Sequence, residues 1–215
     1  MTIQSPWLKG AIGLALFALV TGGVVSITHA LTWSDIQDNR AYAASQALRS
    51  LAPEPDYQLD LKQEVIRLGP VPALGQTAEF KIYRARTTHD ELGLLLLPVI
   101  SHQGYSGDIK LLVAVDIKGQ VQGIRVLMHQ ETPGLGDRIE QRKSNWLEQF
   151  TGQSLQQLPD SQWRVKKDGG HFDQLTGATI TPRAVVGAVY QALHWVQEHH
   201  DTLWMDDIQA VRRSL

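Results

Sequence analysis

Leu111-Leu112-Val113-Ala114-Val115-Asp116-Ile117-Lys118-Gly119-Gln120-Val121-Gln122-Gly123-Ile124-Arg125-Val126-Leu127-Met128 is the stretch that decides the fold class. Two β-rich runs, Leu111 to Ile117 and Gln120 to Met128, are split by Lys118-Gly119, which is a hairpin signal. Further strand signals precede it. Phe80 to Ala85 alternates, and Gly93 to Ile100 is a buried apolar run in which Pro98 points to an edge strand or a strand end. Helical spacing lies elsewhere. Trp33 to Ala52 repeats apolar residues at three- and four-residue steps until Pro53 and Pro55 stop it. Asp137 to Phe150 carries Ile139, Trp146, Leu147 and Phe150, with Gly152 just beyond. A last helix is predicted from Thr181 as N-cap, with Pro182 at its first position and Val185, Val186, Val189, Ala192, Leu193 and Val196 as its stripe. Between these, Leu59 to Leu68 reads as a short helix or strand and Trp163 to Val165 as a short strand. Hairpins with helices segregated in sequence predict an α+β fold, an antiparallel sheet with flanking helices.

Ahead of that domain, Gly10 to Thr28 is uncharged and dominated by Ala, Leu, Val, Ile and Gly. At about 1.5 Å per residue its roughly 19 residues match the bilayer hydrocarbon. A cleaved signal peptide ending at Thr28-His29-Ala30 is the alternative, but signal cores usually run only about 7–15 residues. The length favours a single transmembrane helix. Lys9 lies on one side, and Asp35, Asp38 and Arg40 on the other. The positive-inside rule then keeps the N-terminus in the cytoplasm and exports the rest.

The composition, 43% hydrophobic and 20% charged, is that of a globular domain, and the formal charge of −2 gives no basic field for nucleic acid. The chain has no cysteine, so disulfides, thiolate metal sites and cysteine nucleophiles are excluded. His129 and Glu131 form an H-x-E string that would need cysteine partners to act as a deaminase-type zinc site. No His-Glu-x-x-His helix occurs, and His194, His199 and His200 sit on or beyond a helix end. No metal site and no catalytic group are therefore assigned. Trp146 and Phe150 are read as core.

The chemistry concentrates in Asp173-Gln174-Leu175-Thr176-Gly177-Ala178-Thr179-Ile180-Thr181-Pro182. Small residues and hydroxyls precede a helix whose first N–H groups are unpaired and whose macrodipole is positive there. Gly177 lets the backbone turn and come close to a ligand. This is a place to hold a phosphate. The same residues equally suit an ordinary N-cap turn. A second string, Glu131-Thr132-Pro133-Gly134-Leu135-Gly136, offers bare backbone in a Pro–Gly turn. Read alone, it is a surface loop between strand and helix.

Together the two strings resemble a known family. Asp173-x-x-Thr176-Gly177-Ala178-Thr179 is similar to the flavinylation motif of FMN-binding domains, and Glu131 to Gly136 is similar to the loop that lines their flavin. Gly104-Tyr105-Ser106-Gly107 also fits. With the N-terminal anchor, the chain resembles the G subunits of Rnf (Rsx) ion-translocating electron transport complexes over nearly its whole length.

The resemblance implies covalent FMN esterified to Thr179, installed from FAD by a flavin transferase. Asp173 would be part of what the transferase reads, and Thr176, Gly177, Ala178 and Thr181 would shape the phosphate turn. Glu131, Thr132, Gly134, Leu135 and Gly136 would line the flavin. It also implies membrane-subunit partners in the bacterial inner membrane. That assembly couples electron flow between ferredoxin and NAD to ion movement, or keeps a redox-sensing regulator reduced. The implied layout is a cytoplasmic N-terminus (1–9), a transmembrane helix (10–30), a helical stalk and linker (31–78), a periplasmic FMN-binding domain (79–200) and a C-terminal tail (201–215). Three alternatives stand: the C subunit of a sodium-translocating NADH:quinone reductase, a membrane-anchored scaffold or sensor binding FMN reversibly, and an exported hydrolase using His129 and Glu131.

Overall fold

In the computed structural model of the chain, residues 6–208, 210 and 211 are described. The first residues of segment 1–9 and the last of tail 201–215 lie outside them. The chain forms two compact units, one up to Ala44 and one from Ser45 onward.

Helix α1 runs Pro6–Leu51 without a break. The sequence predicts two helical segments, and they merge because no Pro or Gly lies between Thr28 and Trp33 to interrupt the ladder. An 18-residue window of α1 has a mean hydropathy of 2.1, and none of it is buried inside the protein. Thr21 and Thr28 return their hydroxyls to carbonyls one turn back, at 2.8 and 2.9 Å. The stretch thus leaves few unpaired polar groups, and it fits a single-pass membrane anchor.

From Ser45 onward the centre is an antiparallel sheet. Its strands are β1 (Tyr57–Gln58), β2 (Val65–Leu68), β3 (Phe80–Thr87), β4 (Leu92–Ser101), β5 (Ile109–Asp116) and β6 (Val121–Met128). The order is β1-β3-β4-β5-β6, and β2 also pairs with the outer edge of β3. The predicted hairpin is β5–β6. Asp116 accepts the Lys118 and Gln120 amides on its carboxylate, each at 2.9 Å, and Gly119 supplies the left-handed φ of +73°.

Pro98 lies inside β4, opposite Leu112 of β5. It is tolerated because the paired register with β3 ends at Leu96, and the Pro98 carbonyl accepts from Gln76 Nε2 at 2.9 Å on that side. A strand residue points its N and O the same way, so the absent N–H falls where the ladder has already stopped.

Both faces of the sheet are covered, which is why β4 and β5 read as continuous apolar runs. Leu95, Leu97, Val99, Leu111, Val113 and Val115 pack toward α2 (Ile180–Glu198) and the loops around it. The alternate residues Leu94, Leu96, Leu112 and Ala114 meet Leu48, Leu51 and Ala52 on the opposite face. At about 25 cal/mol per Å² of apolar area, each fully buried leucine stabilises by roughly 1.5–3 kcal/mol. Beyond α2, a short helix α3 (His200–Leu203) seats Leu203 in the main core, and Val211 follows it there.

Two predicted elements differ. Asp137 to Phe150 is not one helix but two 3₁₀ turns, Gly136–Ile139 and Trp146–Phe150. Trp163 to Val165 makes only an isolated bridge, Val165 to Phe172. Trp146, Phe150, Phe172 and Trp163 instead form an aromatic cluster, with Phe150 and Phe172 stacked at 4.4 Å. The core reading of Trp146 and Phe150 is correct.

Candidate functional site

The start of α2 organises the site. The helix begins at Ile180 and Thr179 is its N-cap, so the predicted start at Thr181 is two residues late. The reason is where Thr181 sends its hydroxyl. It donates to Glu131 Oε2 in the other string instead of capping the helix. Pro182 then falls inside the first turn, where its missing N–H is still one of the unpaired set. Thr179 makes no side-chain cap bond either, so its half-buried hydroxyl is not committed to the helix.

Before the helix, Leu175 to Ala178 is a tight turn closed by the Ala178 amide on the Leu175 carbonyl at 3.0 Å. Gly177 has φ +83°, a region favouring glycine, and a Cβ there would come within 2.8 Å of Leu135 Cδ2. The second string folds as Thr132-Pro133-Gly134-Leu135, with the Leu135 amide on the Thr132 carbonyl at 3.1 Å. Pro in second place and Gly134 in third, at φ +79°, follow the residue preference of a type II turn.

Glu131 ties three segments together. Its carboxylate is buried, accepts the Ser106 amide on Oε1 at 3.0 Å and accepts Thr181 on Oε2. Its own amide donates to His129 Nδ1 at 3.0 Å. That leaves the proton on Nε2, which faces Glu140 at 3.0 Å. His129 is thus a structural link. Among the described residues no group of three or more His, Asp or Glu is placed to hold a metal.

Nearby charges are paired. Lys143 reaches Asp137 at 2.9 Å and Glu140 at 2.6 Å. Its ammonium holds the Asp137 carboxyl below the usual carboxylate range. Burial pushes Glu140 up, but hydrogen bonds from Lys143 and His129 outweigh it and hold it low. In the first turn of α2, Arg183 grips Asp168 with two bonds of 2.6 Å. What remains at the helix start to meet an anion is backbone N–H and the helix field.

A cleft of about 430 Å³ opens between the strings. It is lined by Glu131, Thr132, Leu135 and Gly136 from one, by residues 177–181 from the other, and by Tyr105. Its size suits a small-molecule site. Tyr105, Leu135 and Ile180 show large exposed apolar surfaces.

Asp173, Thr176 and Gly134 do not line the cleft. Asp173 pairs with Lys166 at 2.5 Å. Its carbonyl accepts from Trp146 Nε1 at 2.7 Å and its amide donates to Gln149 at 2.6 Å, so the loop is clamped at its start. Thr176 is exposed. Sequence reasoning assigns no site role to Tyr105, Ile180, Ser106, Trp146 or Gln149. Of these, only Tyr105 and Ser106 carry a signal, through the Gly104–Gly107 string.

Gly136 offers a test of this packing. A Cβ there would lie 2.8 Å from Thr181 Oγ1 and 3.0 Å from Glu131 Oε2. Gly136→Ala should break the Glu131–Thr181 bond and cost roughly 1–3 kcal/mol, the usual overpacking penalty, read as a lower urea midpoint at unchanged slope.

Comparison with known proteins assigns the chain to a family. Residues 104–194 match the FMN-binding domain family and residues 1–51 match the RnfG N-terminal region. A chain with an apolar anchor helix and this domain match is a membrane-anchored FMN-binding-domain protein. More narrowly, it belongs to the family of G subunits of ion-translocating oxidoreductase complexes. Its relative from Shewanella baltica, which bears that name, is 42% identical over 89% of this chain and 90% of its own. The one from Shewanella oneidensis is 40% identical over 97% and 98%, and that from Vibrio cholerae is 41% identical over 91% and 92%. The crystal structure of Shewanella oneidensis NqrC matches at 22% identity with a TM-score of 0.49, covering 72% of each chain.

Proposed function

We propose that this chain relays electrons through FMN esterified to Thr179, as the anchored flavin subunit of an Rnf-type ion-translocating oxidoreductase complex. The observation that carries this reading is the Thr179 hydroxyl. It is unused by its helix, stands on the wall of a cleft built from both strings, and lies where α2 presents unpaired N–H groups.

The residues present fit the group. The helix start and the Gly177 turn suit a phosphate, and Leu135, Ile180 and Tyr105 suit a flat apolar ring. Bound FMN would supply the electron-carrying chemistry. The chain would tether it, orient it and shield it, with Thr132, Ala178, Thr181 and the backbone of Gly136 as further walls. Gly134 would serve by turning the loop.

Asp173 and Thr176, away from the cleft wall, suit recognition by a flavin transferase during maturation. Thr176→Ala should slow flavin loading several-fold while final occupancy still approaches one. Equal initial rates in a time course of intact mass would remove Thr176 from that role. Partners would be the other membrane subunits of the complex. The flavin domain, 79–200, would face the periplasm of the bacterial inner membrane, with Lys9 on the cytoplasmic side.

The near-complete mutual coverage with G-subunit relatives favours this assembly over the C subunit of a sodium-translocating NADH:quinone reductase. The decisive experiment is denaturing electrophoresis under ultraviolet light after exposure to transferase, followed by peptide mapping around Thr179. A fluorescent band carries the covalent reading. Colour lost on denaturation would favour a reversible FMN scaffold or sensor.

A further inference from the structure

The Glu131 carboxylate has a housing built for it. The residue is 3% exposed, yet it contributes to the cleft wall. One oxygen takes a backbone amide and the other a hydroxyl, and both donors are uncharged. Among the described residues Glu131 makes no ion pair, and Lys143 serves Asp137 and Glu140. Glycine is required on two sides. A Cβ at Gly104 would lie 2.2 Å from the Gly107 carbonyl oxygen and 2.9 Å from Glu131 Oε1, and one at Gly136 would lie 2.8 Å from Thr181 Oγ1 and 3.0 Å from Glu131 Oε2. Neither glycine has a left-handed φ, so the space, not the backbone, explains them.

A carboxylate with no counter-ion among the described residues, placed on the wall of the cleft, projects its field into that cleft. Resting on the flavin reading above, we propose that Glu131 is a positioning residue that sets the reduction potential of the bound flavin downward. It does so by holding a negative charge against the cleft while clasping the Ser106 and Thr181 segments. Reduction adds electron density to the ring, and an adjacent fixed anion opposes that addition.

The test uses the full-length flavinylated protein as wild type, Glu131→Gln and Glu131→Asp, with intact mass measured on each before redox titration. Glutamine keeps the shape and an oxygen to accept the Ser106 amide, turns the other end into an N–H donor that the Thr181 hydroxyl can accept, and loses the charge. At the wild-type midpoint the reduced-to-oxidised ratio should rise on the order of tenfold in Glu131→Gln. Glu131→Asp, which keeps the charge, should stay near wild type. Loaded proteins with equal midpoints would overturn this inference and leave the flavin reading standing. A wild type that never gains the FMN mass would overturn both.

A second measurement needs no variant. Reduced-minus-oxidised infrared spectra of wild type carrying ¹³C-glutamate should contain a carboxylate band moved by the label. Absence of any such band would overturn the inference.

Discussion

Replacing Thr179 with alanine is expected to abolish covalent flavin entirely, leaving an intact mass equal to that of the bare 23.9 kDa polypeptide and no fluorescence on a denaturing gel. The structure makes this a clean experiment. Removing an N-cap hydroxyl ordinarily costs about 0.5–2 kcal/mol. Thr179 makes no cap bond, so the loss here should fall below about 0.5 kcal/mol. The variant should therefore fold, and the missing mass would report chemistry and not collapse. Thr179→Ser keeps an acceptor hydroxyl and should still load. A Thr179→Ala protein that fluoresces after denaturation would place the ester on another residue, and Thr176 and Thr181 would be the next to map.

The second large effect lies outside the cleft. Arg84 is fully buried, pairs with Glu64 at 2.6 Å, and donates to the Met205 carbonyl at 2.6 Å. Arg86 adds a bond from its Nε to the other Glu64 oxygen at 2.9 Å. This network fastens the segment after α3 to the sheet. Arg84→Met preserves apolar bulk but leaves the Glu64 carboxylate to Arg86 alone and strands the Met205 carbonyl. The expected cost is about 1–3 kcal/mol, that of leaving a buried polar group without its partner. A urea melt should show it, with the far end of the chain becoming the first region cut by protease. Arg84 and its partners do not line the cleft, so flavin loading at low temperature should persist. A midpoint within about 0.5 kcal/mol of wild type would show the network to be ornamental.

Much of this architecture is legible in the sequence where local chemistry and long-range packing agree. Lys118-Gly119 between two β-rich runs becomes the β5–β6 turn because Asp116 and Gly119 satisfy that turn by themselves. The string 173–182 announces a helix start, and the structure has one. Legibility fails where a distant partner overrides a local preference. Thr181 looks like the N-cap, but its hydroxyl is taken by Glu131, fifty positions away in sequence. Ile139, Trp146 and Phe150 have helical spacing, yet two 3₁₀ turns deliver the same side chains to the core and leave the intervening stretch to the Lys143 ion pairs. The convergence of Tyr105 with both strings also depends on tertiary folding, and no periodicity encodes it.

The C-terminal turns of α1 double as a lid over the sheet's second face, where Leu48, Leu51 and Ala52 meet Leu94, Leu96 and Leu112. Anyone trimming the chain to a water-soluble fragment must therefore keep Ser45 to Ala52, although these residues look in sequence like dispensable tether. A cut placed after them would bare a greasy plate and invite clumping, and the resulting insolubility would be mistaken for a missing flavin.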